Sequence, residues 1–266
     1  MNTRILTATC LTATLALTAC DGGTTAVIGP TAPVTNEGLW SGVFDISTDA
    51  TANTRTFNAL VTPDGTLWMT YSRVSDPTLA GVIQGAGTAD TAARTYTAPA
   101  VTEQNASLTL TGALSGLYVS QSKFSGNITT NVGGLRTLSF NPSFAVNYDL
   151  TYAQAPGLAP GPTTVNGTGI VAGSEVPVTL VLDPQAGNPS QVLVGQSGPS
   201  TGLCYFSSPV TGASAGNYFN LSVTFIPGAG CDSQGLSGTR QGVLFRTPTG
   251  KFVLVTGNAV FGFQET

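Results

Sequence analysis

From Glu37 onward apolar and polar positions alternate with a period of two. Leu67, Met69 and Tyr71 are interleaved with Thr66, Trp68 and Thr70. Leu108 and Leu110 sit among threonines, and Leu138 and Phe140 alternate with Thr137 and Ser139. Val176, Val178, Leu180 and Leu182 form another row. Phe219, Leu221, Val223 and Phe225 form a further one, opposed by Tyr218, Asn220, Ser222 and Thr224. Successive strand side chains point to opposite faces, so such rows mark strands buried on one side. Their Thr, Val, Tyr and Phe content suits a pleated, half-buried surface. Turn-forming clusters punctuate the rows: Pro63-Asp64-Gly65, Asn131-Val132-Gly133-Gly134, Asp183-Pro184, Ala215-Gly216-Asn217 and Pro248-Thr249-Gly250. No sustained stripe of period 3.6 with caps competes with them. The pattern predicts about fifteen short strands spaced roughly ten residues apart, hence an all-β fold, an antiparallel barrel or sandwich rather than βαβ units.

The rows divide. Leu60-Val61-Thr62-Pro63-Asp64-Gly65-Thr66-Leu67-Trp68-Met69 is echoed by Phe245-Arg246-Thr247-Pro248-Thr249-Gly250-Lys251-Phe252-Val253-Leu254. Both read as strand, Thr-Pro-x-Gly turn, strand. Between the echoes, Gln154 to Pro162 is rich in proline and glycine and reads as a linker. Two β units in tandem follow, residues 37–153 and 163–266, joined by 154–162. A single sheet system running through that stretch is the alternative.

The N-terminus breaks the β pattern. Met1 to Arg4 carries one positive charge, and Ile5 to Leu17 is an uncharged run of Leu, Ala and Thr. That run is shorter than the approximately 20 apolar residues a membrane-spanning helix needs, and it reads as a targeting segment. It ends in Leu17-Thr18-Ala19-Cys20, which resembles the bacterial lipobox. The resemblance implies a signal peptide over residues 1–19, cleavage before Cys20 and a diacylglycerol on the Cys20 sulfur. Several acyl chains hold a protein firmly where one holds it only marginally, at about 0.8 kcal/mol per buried methylene. Residues 20–36, mostly Gly, Thr, Ala and Pro, then read as a lipid-anchored flexible tether. The expected address is the bacterial cell envelope, with the membrane as partner through the lipid on Cys20. Asp21 resembles the residue that retains some lipoproteins in the inner membrane. That rule differs among bacteria, so the outer membrane is the expected site and Asp21 leaves it open.

Composition narrows the chemistry. Only 8% of the 266 residues are charged, and the net charge is −4, which argues against a nucleic-acid partner. The chain has no histidine, so Ser-His-Asp triads, histidine metal sites and histidine pH switches are excluded. Of four cysteines, Cys10 leaves with the signal and Cys20 takes lipid. Cys204 and Cys231 remain, an even pair in an oxidising compartment, and are expected to form a disulfide. A metal reading lacks further soft ligands near them. For carboxylate chemistry the candidates are Asp45 with Asp49, or Asp64, Asp149 and Asp183. Asp64 and Asp183 sit in turn contexts where Asp bonds its own backbone. Ser120-Gln121-Ser122-Lys123 has the S-x-x-K spacing of acyl-serine enzymes but lies in a strand-like stretch without the companion motifs. Gly85-Ala86-Gly87 and Gly167-Thr168-Gly169 lack the rest of a dinucleotide fingerprint and read as strand ends. No catalytic residue, metal or cofactor is therefore expected. Trp40, Trp68 and Tyr71 are the candidate binding residues, as a stacking platform for a sugar or other ligand. The alternation that sets Leu67, Met69 and Tyr71 on one face puts Trp68 on the other. There it faces either a second buried layer or a ligand.

Three further segments carry a resemblance: Gly38-Leu39-Trp40-Ser41-Gly42-Val43-Phe44 with the Asp64-Gly65 hairpin; Ala80-Gly81-Val82-Ile83-Gln84-Gly85-Ala86-Gly87; and Gly202-Leu203-Cys204-Tyr205-Phe206 followed by Gly216-Asn217-Tyr218-Phe219-Asn220-Leu221-Ser222-Val223-Thr224-Phe225 and Cys231. In this order they resemble a group of poorly characterised bacterial lipoproteins with a β-rich mature domain. That resemblance implies a lipid-anchored envelope protein and supplies no catalytic residues. Val260-Phe261-Gly262 adds a distant architectural likeness to the β-barrel surface lipoproteins that bind transferrin or factor H. The expected function is a non-enzymatic binding or structural role toward a protein or small-molecule ligand. The alternatives are a lipocalin-like carrier of a small apolar ligand and, last, a carboxylate hydrolase of the envelope.

Overall fold

The computed structural model describes residues 37–46, 55–73, 76–105, 109–119, 122–130, 136–140, 143–144, 163–171, 174–183, 191–199, 202–212 and 218–266. The signal segment 1–19, Cys20, the tether 20–36, the linker 154–162, Asp49, Asp149, Leu108 and Ser120 lie outside the described residues.

The chain is all-β, as its alternation predicts. The first lobe comprises β1 (Gly38–Ile46), β2 (Arg55–Val61), β3 (Thr66–Arg73), β4 (Asp76–Asp90), β5 (Thr95–Asn105), β6 (Thr109–Val119), β7 (Lys123–Thr130), β8 (Arg136–Phe140) and β9 (Ser143–Phe144). Its strands pair in the order β2-β3-β4-β5-β6-β7-β8-β1-β9, and β1 also pairs with β2. The sheet thus curls until its ladder returns to β1. The second lobe comprises β10 (Thr163–Val171), β11 (Ser174–Asp183), β12 (Gln191–Ser197), β13 (Cys204–Gly212), β14 (Tyr218–Phe225), β15 (Gly238–Arg246), β16 (Phe252–Thr256) and β17 (Phe261–Glu265). These form a closed antiparallel barrel in sequence order, sealed by pairing of β17 with β10. Among the described residues one short α-helix, α1 (Ala229–Ser233), lies between β14 and β15.

Each lobe is filled by the row that its strands turn inward. The barrel takes Val176, Val178, Leu180 and Leu182 from β11 and Phe219, Leu221, Val223 and Phe225 from β14. Phe206, Phe225 and Phe261 meet at ring-centroid distances of 5.1 to 6.0 Å, tilted and edge-on as aromatic quadrupoles prefer. Cys204 and Cys231 are joined as the cysteine count predicts, across 27 residues. Closing a loop of that length stabilises by about 3.5 kcal/mol in the chain-entropy model. The bridge ties α1 to β13, and Leu236, just past α1, enters the barrel core. In the first lobe the Trp40 and Tyr96 rings each stand 5.6 Å from the Phe124 ring, among Phe57, Leu67, Met69, Tyr71, Ile83 and Leu114.

A third core lies between the lobes. Leu39, Leu60, Trp68, Leu79 and Val82 of the first lobe pack against Ile170, Tyr218, Val243, Phe245, Val253 and Val255 of the second. Strands β3, β15 and β16 are accordingly buried on both faces over much of their length. Polar contacts rim this seam. The Thr70 hydroxyl donates to Gln264 Oε1 at 3.1 Å, Gln264 Nε2 donates to the Pro77 carbonyl at 3.2 Å, and the Asn258 amide donates to Gln84 Oε1 at 3.2 Å. Arg73 pairs with Glu175.

The two glycine runs correct an expectation. Gly85-Ala86-Gly87 lies inside β4 and Gly167-Thr168-Gly169 inside β10, not at strand ends. The reason is space: a Cβ on Gly87 would fall 2.3 Å from the Tyr96 hydroxyl, and one on Gly167 2.1 Å from the Gln264 carbonyl oxygen. The Thr-Pro-x-Gly echo is the same hairpin built twice. Thr62 N donates to Thr66 O and Gly65 N to Thr62 O; Thr247 N donates to Lys251 O and Gly250 N to Thr247 O. Gly65 and Gly250 take φ of +84° and +87°, where a side chain is strained.

Candidate functional site

The β2–β3 hairpin carries the first functional side chain. Asp64 Oδ1 accepts the Thr62 hydroxyl at 2.5 Å and the Thr66 amide at 3.1 Å, the self-bonding turn that the sequence context predicts. Partial burial alone would raise its pKa, but the hydrogen bonds from Thr62 and Thr66 together carry it below the usual carboxylate range. Asp64 is therefore an anion at any physiological pH.

Two adjoining hollows flank this turn. One, of about 250 Å³, is lined by Thr62, Pro63, Asp64, Trp68, Tyr218, Asn220 and Val243 and lies at the seam. The other, of about 300 Å³, includes Glu37, Thr62, Pro63, Asp64, Gly87 and Thr88. Tyr218 and Asn220 come from one face of β14, two residues apart. Tyr218 is buried, yet its hydroxyl makes no hydrogen bond among the described residues. Burial first, then the charges of Glu37 and Asp64, push its pKa up to about 12, so it stays a neutral hydroxyl. The Trp68 indole forms another wall. Its Nε1 is sealed within the seam without a hydrogen-bond partner, so the ring offers its apolar body.

The structure separates the three aromatic residues singled out from the sequence. Trp40 is wholly buried in the first-lobe core. Tyr71 is buried there too, under Arg55 at 5.8 Å, and its hydroxyl donates to Glu103. Trp68 alone reaches the seam, where it serves as part of a second buried layer and also lines a hollow. The three share no common surface. Among the carboxylates, Asp45 lies in β1 and Asp183 ends β11. Ser122 and Lys123 lie in the β6–β7 hairpin, where Ser122 N donates to Val119 O at 3.1 Å, rather than at a helix start. Among the described residues no three metal-binding side chains gather.

Sequence reasoning passed over Glu103, Tyr218 and Asn220. Glu103 stands two places after Val101, in the inward phase of β5, and is fully buried with Asn105 as a further donor. Tyr218 was visible as one large aromatic in the otherwise polar row Asn220, Ser222 and Thr224. A larger open trough, about 550 Å³, crosses the outside of β5, β6 and β7 and is lined by Thr95, Thr97, Ser115, Leu117, Ser125 and Asn127, with Gly116 and Gly126. Among the described residues its lining holds no ionisable group. No family model, curated protein or solved structure matches the chain.

Proposed function

We propose that this chain is a lipid-anchored cell-envelope protein that acts by binding, with its recognition surface on the outside and at the seam of two filled β lobes. The observation that carries the reading is the occupied barrel interior, where Phe206, Phe225 and Phe261 pack ring to ring. A lipocalin-like carrier needs a hollow lumen for its apolar ligand, and these rings stand where that ligand would sit. The lipobox at Leu17 to Cys20 supports the anchor, and the histidine-free, charge-poor composition supports a role without proton transfer.

Two measurements on protein purified from bacterial membranes test the proposal. The mass of the Cys20 peptide should exceed the unmodified value by a diacylglyceryl group, with Cys20 as its first residue. A fluorescent fatty-acid analogue titrated into the protein should give no saturable signal. An unmodified thiol at position 20 contradicts the anchor, and saturable one-to-one uptake of the analogue contradicts the filled interior.

A further inference from the structure

We infer that the end of the barrel marked by Tyr205 and Ile226 rests on the bilayer that holds the chain, seated in the interface of zwitterionic lipid. The inference deepens the proposed function. It rests on the anchor to bring a membrane near, and it adds the face that the chain turns toward that membrane.

Strand alternation builds this face. Phe206 and Phe225 pair across β13 and β14 with both rings turned into the barrel. One step toward the end of β14, the Ile226 amide donates to the Tyr205 carbonyl at 2.9 Å, so these two side chains point outward. They are 48% and 52% exposed, two large apolar groups side by side. Pro227, Gly228 and Ala229 continue exposed after them, and Leu203 is half-buried two places before Tyr205. The surrounding wall carries no charge. Residues 184–231 contain no Asp, Glu, Lys or Arg, and they supply three neighbouring strands of the barrel, β12, β13 and β14. A bilayer interface accepts such a surface. Charge is costly there, whereas the amphipathic ring of tyrosine is favoured at headgroup depth, with an aliphatic neighbour reaching the acyl boundary. Asp232 of α1 is the next charge along the chain and is exposed. Together with the net charge of −4 it opposes anionic headgroups and leaves zwitterionic ones as the match. Length permits the contact. The described chain starts at Glu37, whose charge acts on Tyr218 at the other end of β14. That strand has 8 residues, about 27 Å, and residues 20–36 reach roughly 55–60 Å when extended. The tether therefore spans the barrel, and a patch held this close meets lipid at high effective concentration.

The native tryptophans, Trp40 and Trp68, are both buried and give a steady background against which a third can be read. The chain from Cys20 to Thr266 carrying Tyr205→Trp is coupled through the Cys20 thiol to a maleimide phospholipid in phosphatidylcholine vesicles. The result then does not depend on how the cell modifies Cys20: an unmodified Cys20 peptide ends the anchor reading and leaves this measurement standing. The emission gained over the parent chain should be largely quenched when the vesicles are made of brominated phosphatidylcholine. Adding Ile226→Glu should restore it. Leu117→Trp, at an exposed position on the outer face of the first lobe, should keep its emission in the same vesicles. Ile226→Trp gives the same reading if the Tyr205 variant misfolds. Absence of quenching at both barrel positions overturns the inference. So does equal quenching at position 117, which would mean only that the whole chain lies near lipid. Emission that ignores bromine but changes with the density of coupled chains puts a second copy of the chain on the patch, and overturns it as well.

Discussion

At the scale of single residues, one pair locks the lobes. A Cβ on Gly262 of β17 would fall 2.0 Å from Val82 Cγ1 of β4, so the valine of one lobe occupies the side-chain space of a glycine in the other. Gly262→Ala should destabilise by roughly 1–3 kcal/mol, the usual cost of overpacking. Adding Val82→Ala should recover much of that loss in urea denaturation, because the two sites are in contact and couple. Strictly additive losses would mean that the pair does not touch. This contact was not legible in the sequence. Val82 read as an ordinary strand residue, and Phe261-Gly262 only as a family likeness. The same holds for Trp68: alternation placed it opposite Leu67, Met69 and Tyr71, and the structure decides which of its two expected roles applies. It belongs to the buried layer between the lobes, and it also borders a hollow.

At the scale of elements, strand rows and hairpins were the most legible features. The inward rows of β11 and β14 fill the barrel as their period of two requires. The paired Thr-Pro-x-Gly turns have matching backbone hydrogen bonds. Their surroundings differ, which separates their glycines. A Cβ on Gly250 meets only the flexible tip of Arg246, at 3.4 Å, whereas one on Gly65 falls 2.2 Å from the Gly87 carbonyl oxygen. Gly250→Ala should therefore cost about 1 kcal/mol, the strain of a left-handed backbone alone. Gly65→Ala should cost clearly more and lower the midpoint of thermal unfolding further; equal losses would contradict the difference in packing. Two-sided burial was written less plainly. Val243-Leu244-Phe245 and Phe252-Val253-Leu254-Val255 are unbroken apolar runs, the mark of strands covered on both faces. Such a run says that a second layer exists but does not say which element provides it. Only the folded chain brings β3 and β4 against β15, β16 and β17.

At the scale of the whole molecule, the described residues of the two lobes belong to one compact unit, although among them no strand of one lobe pairs with a strand of the other. The 9-stranded sheet and the barrel share an apolar seam, and the hollow beside Asp64 and Tyr218 lies at it. The proposed binding at the seam requires the lobes to behave as one body. Differential scanning calorimetry of the chain from Cys20 to Thr266 tests this most directly. The account predicts a single transition whose calorimetric and van't Hoff enthalpies agree, the mark of all-or-none unfolding. Two resolved transitions, one for each lobe, would contradict it.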